Sequence, residues 1–156
     1  MSGTGTIHSR LSALGLVLPA VSSPKGNYIG AVREGNLVFL SGHGPLDPDG
    51  RLITGKIGID YSEEEGYQHA RLVGLNLLSS LQAEIGSLDK VRKVVKLLGM
   101  VNAPLDFASQ PQIINGCSDL FVELFGSEIG KHARSAVGVA SLPGQMSVEI
   151  EAIFAV

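Results

Sequence analysis

The closing stretch ARSAVGVASLPGQMSVEIEAIFAV, Ala133 to Val156, holds the residues best suited to small-molecule chemistry. Arg134 carries a planar guanidinium, the group that grips a carboxylate through two parallel hydrogen bonds. Glu149 and Glu151 follow within the same stretch. Two strands around Leu142-Pro143-Gly144 predict a hairpin. Side chains alternate along a strand. In the first strand Val137 and Val139 share a face with Ser135, leaving Arg134, Ala136 and Gly138 on the other. In the second, Val148, Ile150 and Ala152 share a face, and Glu149, Glu151 and Ile153 take the other. Pairing Ala140 with Ser147 sets Val139 against Val148 and Val137 against Ile150. The aliphatic face then belongs under helices. The small residues opposite leave space that Arg134 and the glutamates border, a candidate pocket for a small carboxylate. The alternative for the same residues is an ion-paired, solvated sheet face.

The elements that must position this stretch are readable in turn. IHSRLSALGL predicts a short helix, with Ile7, Leu11 and Leu14 on one face and Gly15 to stop it. Tyr28 to Val32 and Leu37 to Leu40 flank Glu34-Gly35-Asn36, a hairpin signal. Ser62-Glu63-Glu64-Glu65 is a capping box, and Ala70, Val73, Leu77, Leu81 and Ile85 trace one helical face up to Gly86. Lys90 to Val101 reads as a long strand. Pro111 to Phe125 predicts a second long helix, with Ile114, Cys117, Phe121 and Leu124 on its apolar face and Gly126 at its end. The order ββ-α-β-α-ββ predicts an α+β fold, with both long helices on one face of a mainly antiparallel sheet.

Composition bounds the function. The 156 residues suit one domain spanning 1–156, with residues 1–26 as an N-terminal extension whose first residues, MSGTGT, are expected to be loosely held. Hydrophobic residues make up 44% and charged residues 17%, a balance that suits a protein hiding part of its surface in an oligomer. The net charge is −3, there is no Trp, and no basic stripe stands out, so nucleic-acid binding is not expected. One cysteine and no signal-peptide pattern point to a reducing cytoplasm. No apolar run is long enough for a membrane span, and no Cys/His cluster has metal-ligand spacing.

Other residues weigh less. Cys117 sits on an apolar stripe and reads as core. His43 lies in a turn beside the proposed pocket, and His132 stands two before Arg134; each is a ligand contact or proton carrier, or else a loop residue. His8 and His69 read as structural or solvated. The glycines at 42, 44, 55 and 58 form no phosphate loop.

The closing stretch resembles the C-terminal signature of the reactive intermediate deaminase (Rid, YjgF-like, endoribonuclease L-PSP) family, A-R-S-x-V-x-V-x-x-L-P followed by V-E-I-E-A-I-A. GNLVFLSGHGPLDPDG resembles that family's hairpin and Ser-Gly turn. The Ser62 helix, the Lys90 strand and DFASQPQIINGCSDLF follow in family order, so the resemblance covers about Tyr28 to Val156. It implies a chorismate-mutase-like fold and a homotrimer with a central barrel, helices outside and ligand clefts between subunits. It also implies hydrolysis of enamine and imine intermediates such as 2-aminoacrylate to 2-oxo acids and ammonia, without a cofactor or metal. By the same resemblance Arg134 holds the substrate carboxylate and Glu149 attends the attacking water. Tyr28, Ser41 with Gly42, and Asn115 match pocket positions. The sequence departs from the family at Ala136, at His132 before Ala-Arg, at His43 after Ser-Gly, and in its longer N-terminus, whose helix is placed to cover part of the cleft. A non-catalytic trimer that binds a carboxylate metabolite is the rival reading. An endoribonuclease is a third, opposed by the acidic charge.

Overall fold

The computed structural model describes residues 6–156. The expectation of a loose start over Met1 to Gly5 lies outside the described residues, while Thr6 accepts from the Ser9 N–H (3.3 Å) and caps the first helix, α1 (Ile7–Ala13). Ile7 and Leu11 are buried as expected, but Leu14 falls just past the helix and is exposed. Asp89 Oδ1 accepts from the Ile7 N–H (2.8 Å), and Arg10 Nη1 donates to the Leu124 carbonyl (2.6 Å). These bonds pin α1 to the rest of the fold.

The β1 (Ala31–Glu34) and β2 (Leu37–His43) strands form the expected first hairpin around Gly35 and Asn36. The capping box then opens α2 (Glu63–Ile85): Ser62 Oγ accepts from the Glu65 N–H (3.2 Å), and Glu65 Oε2 accepts from the Ser62 N–H (2.8 Å). Ala70, Val73, Leu77 and Leu81 are fully buried along it. The long strand is β3 (Lys93–Asn102) and the second long helix is α3 (Gln110–Gly130), whose backbone breaks at Gly126 before a last turn. Gly116 lies where α3 meets α2, and a Cβ there would collide with the Tyr67 carbonyl oxygen. The missing side chain lets the two helices approach backbone to backbone. Cys117 is fully buried beside it, and burial pushes its thiol pKa far up.

The β4 (Ala133–Val139) and β5 (Val148–Ala155) strands complete a five-stranded mixed sheet in the order β1-β2-β5-β3-β4. Three neighbouring pairs are antiparallel, and β3 with β4 is parallel. The helices pack on one face, over Val38, Leu40, Leu97, Val101, Ile150, Ala152 and Phe154. By register the other face carries Val32, Phe39, Leu98, Met100, Val137 and Ile153, together with Glu149 and Glu151. Among the described residues no helix covers it; Phe39 is 43% exposed and Val137 41%.

Two expectations about the closing stretch are overturned. The Arg134 and Glu149 strands do not pair, because β3 lies between them. Leaving β3, the chain crosses through α3 and returns parallel to it as β4, on the outer edge. Residues 140–147, including a 3₁₀ turn at Pro143–Gln145, then pass the end of β3 to enter β5. Val148 therefore pairs with Val101 and Ile150 with Gly99, while Val137 pairs with Met100. The facing of β4 is also inverted. Arg134, Ala136 and Gly138 register with Leu97, Gly99 and Val101 and turn toward α3, while Val137 faces away. Small residues on this side make room for α3: a Cβ on Gly99 would stand 2.5 Å from Ile114 Cδ1. The facing of β5 is as expected, with Val148, Ile150 and Ala152 inward and the glutamates outward.

Candidate functional site

Between Leu40, opposite Ala152, and His43, opposite Ile150, β2 uses one more residue than β5. The result is a bulge at Ser41 and Gly42. Ser41 binds back to the preceding segment: its N–H donates to the Gly30 carbonyl (3.0 Å) and its Oγ to the Ile29 carbonyl (2.7 Å). Gly42 lies against Glu149, so that a Cβ there would stand 2.8 Å from Oε1 and 2.9 Å from Cδ. Only glycine lets the carboxylate rest in this position.

Glu149 opens onto a cavity of about 1350 Å³ whose lining includes Tyr28, Ser41 and Gly42. Residues 17–25 form part of its wall. It is thus the irregular segment after α1, rather than the N-terminal helix, that lines this space. Ser79 Oγ holds that segment by donating to the Pro19 carbonyl (2.6 Å). Burial, and then the neighbouring Glu151, raise the Glu149 carboxyl above its ordinary pKa. Asn76, which the sequence did not single out, also lines the cavity; it donates to the Gly44 carbonyl (2.9 Å), and its buried Oδ1 has no partner. Its place on the buried face of α2 is the signal that marks it.

Arg134 belongs to a different group. Its Nη1 donates to Ser118 Oγ (3.0 Å) and its Nη2 to the Pro111 carbonyl (3.1 Å). Pro111, Asn115 and Ser118 follow at helical spacing, so Asn115 shares the face of α3 on which Arg134 is anchored. Two of the five guanidinium N–H groups are thereby engaged and three stay available. Ser118 was likewise not marked by the sequence; its position one turn beyond Asn115 gives it away.

The structure thus gathers Tyr28, Ser41, Gly42 and Glu149 in one group, and sets Arg134 against the face of α3 that Asn115 shares. Arg134 registers with Leu97 on the helix side of β3, while Glu149 registers with Met100 on the open side. Two strand spacings and three residues of register put their Cα atoms roughly 14 Å apart. A small carboxylate cannot touch both in one chain.

His43, His69 and His132 are each committed to protein partners. His43 is buried; a carbonyl can only accept, so Nδ1 donates to the Ser41 carbonyl (2.6 Å), and Nε2 lies 2.7 Å from Ser80 Oγ. Burial lowers its pKa and keeps the ring neutral. His69, read from the sequence as structural or solvated, is structural: it is buried with Nδ1 2.9 Å from Ser147 Oγ and its ring edge-on to Tyr61. Among the described residues no helix is long and apolar enough to cross a membrane, and no group of three His, Cys, Asp or Glu side chains is placed to hold a metal ion.

Five strands of mixed sheet with the long helices on one face define a chorismate-mutase-like α+β fold. The family model described as "YjgF/chorismate_mutase-like, putative endoribonuclease" matches residues 8–155, and the chain belongs to this YjgF/RutC-like family. The resemblance carried by the closing stretch is therefore borne out at the family level. The chain is 41% identical over 150 residues to Protein TCP17 of Trypanosoma cruzi, across 96% of this chain and 94% of that protein. A crystal structure of a "putative endoribonuclease" from Shewanella oneidensis superposes with a TM-score of 0.92 at 31% identity, covering 97% of this chain and 100% of that one. A 2-iminobutanoate/2-iminopropanoate deaminase of Dermatophagoides farinae is 33% identical over 136 residues, 86% of this chain and 90% of that protein.

Proposed function

We propose that this chain is the protomer of a homotrimeric hydrolase that converts enamine and imine intermediates of the 2-aminoacrylate type into 2-oxo acids and ammonia. The observation that carries this reading is the separation of Arg134 and Glu149 onto opposite faces of the sheet. A small substrate meets both only where Glu149 of one copy faces Arg134 of another. The uncovered apolar face, with Phe39, Met100, Val137 and Ile153, supports contact between copies. The relative named as an iminobutanoate deaminase supports the reaction class.

The chemistry asks little of the protein. Protonation of the enamine at its methylene carbon gives the protonated imine, already an electrophile. Arg134 holds the substrate carboxylate with its remaining N–H groups. Water attacks the imine carbon, the C=N electron pair moves to nitrogen, and the Glu149 carboxylate takes the proton that water loses. Glu149 then returns that proton to nitrogen. The C–N bond breaks with its pair on departing ammonia, and the hydroxyl passes its proton to the freed Glu149 carboxylate as the 2-oxo group forms. A raised pKa suits Glu149 to this exchange. Orientation supplies much of the acceleration, and the reaction needs no cofactor. Tyr28, Ser41 and Gly42 shape the Glu149 side of the cleft and Asn115 the Arg134 side.

The direct test is pyruvate release from 2-aminoacrylate generated in situ by a dehydratase, with the unmodified protein, Arg134→Ala and Glu149→Ala. Acceleration by the unmodified protein that both variants lose is expected. No acceleration by the unmodified protein would overturn the hydrolase reading in favour of a carboxylate-binding trimer.

A further inference from the structure

We propose that His132 is a positioning residue for Arg134, acting through the Ser118 hydroxyl without touching substrate. The inference rests on the reading of Arg134 as the carboxylate holder. His132 Nδ1 lies 2.7 Å from the Gly130 carbonyl and Nε2 lies 2.9 Å from Ser118 Oγ. The carbonyl has no proton to give, so Nδ1 carries the hydrogen and donates. Burial, with Arg134 and Lys93 nearby, lowers the His132 pKa and keeps the ring neutral. Nε2 is then bare and can only accept, and the Ser118 hydroxyl donates to it.

This fixes the Ser118 oxygen. With its single hydrogen committed to His132, its lone pairs are left for Arg134, whose Nη1 donates at 3.0 Å. The hydrogen bonds run in one direction, from Arg134 to Ser118 to His132 to Gly130. The second anchor is the Pro111 carbonyl, accepting from Nη2. Two anchors from α3 set the plane of the guanidinium and leave its free N–H groups in a fixed orientation. Phe121 stands edge-on to the His132 ring, with centroids 6.4 Å apart, and limits its tilt. Without the acceptor at Nε2, a serine within a helix turns its hydroxyl toward the carbonyl one turn back. That carbonyl is on Ile114, away from the present hydrogen bond. Arg134 would keep its charge and lose its aim.

Three variants separate positioning from bulk. Ser118→Ala removes the relay and His132→Leu removes the acceptor. His132→Gln keeps an acceptor close to the Nε2 position. Steady-state hydrolysis of 2-iminobutanoate and calorimetric binding of unreactive 2-oxobutanoate are measured for each. Ser118→Ala and His132→Leu should raise KM and weaken 2-oxobutanoate binding about tenfold with kcat nearly unchanged, and His132→Gln should stay close to the unmodified protein. A Gln variant as weak as the Leu variant, or a loss confined to kcat, would overturn the relay. Nitrogen-15 spectra of the unmodified protein supply a readout independent of turnover: Nδ1 should be protonated and Nε2 bare at neutral pH, with Nε2 shifting in Ser118→Ala. A ring protonated on Nε2 would also overturn it. Failure of the proposed function looks different, namely no turnover at all with the Nδ1–H ring still in place.

Discussion

Arg134 and Glu149 stand on opposite faces of one sheet, with β3 between their strands and Leu97 and Met100 marking their registers. On the proposed reading, one chain therefore holds two half-sites. Light scattering at micromolar concentration should report about three times the chain mass of 16.3 kDa. A particle of the single-chain mass would contradict a site shared between copies.

Gly42 should be needed for rate and not for folding. A Cβ in this position meets the end of a flexible side chain, the Glu149 carboxylate, at 2.8 Å. Gly42→Ala should displace that carboxylate and lower kcat at least about tenfold, as for a misplaced general base. Its melting temperature should stay near that of the unmodified protein. Comparing thermal unfolding with turnover in the same preparation checks both halves.

The acid side of the pH–rate profile should report Glu149. Its carboxyl must be ionised to take a proton from water, and burial together with Glu151 raises its pKa. Activity should therefore fall as pH drops through that raised value. Glu151→Gln removes the like charge, lowers the Glu149 pKa and should move this limb to lower pH. An unmoved limb in the variant would remove Glu149 from the assignment.

The contact of α2 with α3 should be the sensitive point for stability. A Cβ on Gly116 runs into the Tyr67 backbone, which a rotamer change cannot relieve. Gly116→Ala should cost about 3 kcal/mol, at the upper end for overpacking. Chemical denaturation reads this directly. A variant within a few tenths of a kcal/mol of the parent would mean that the helices separate without penalty.

Local patterns in the sequence carried much of the fold. The Ser62 box and the stripe behind it define α2, and the alternation of β5 places Glu149 on the outward face. The partner of β4 was not legible. Leu142-Pro143-Gly144 between two apolar runs mimics a hairpin turn, whereas the pairing is decided by the α3 crossover that delivers β4 beside β3. The facing of β4 misled for a related reason. Its valines face the side that no helix covers among the described residues, and Gly99 and Ala136 leave the room on the other side for α3. Arg134 and Glu149 were both marked by residue type, but their placement on opposite faces needed the strand order. Ser118 and Asn76 became visible only through their neighbours.

The most direct test mixes two dead proteins. Arg134→Ala retains the Glu149 half-site, and Glu149→Gln retains the Arg134 half-site. Co-expressed in equal amounts and purified together, they assemble into mixed oligomers. If each site joins one half from each of two copies, about a quarter of the sites are intact, and about a quarter of the unmodified 2-iminobutanoate hydrolysis should return. Mixed oligomers as inactive as either variant alone would contradict a site built between copies.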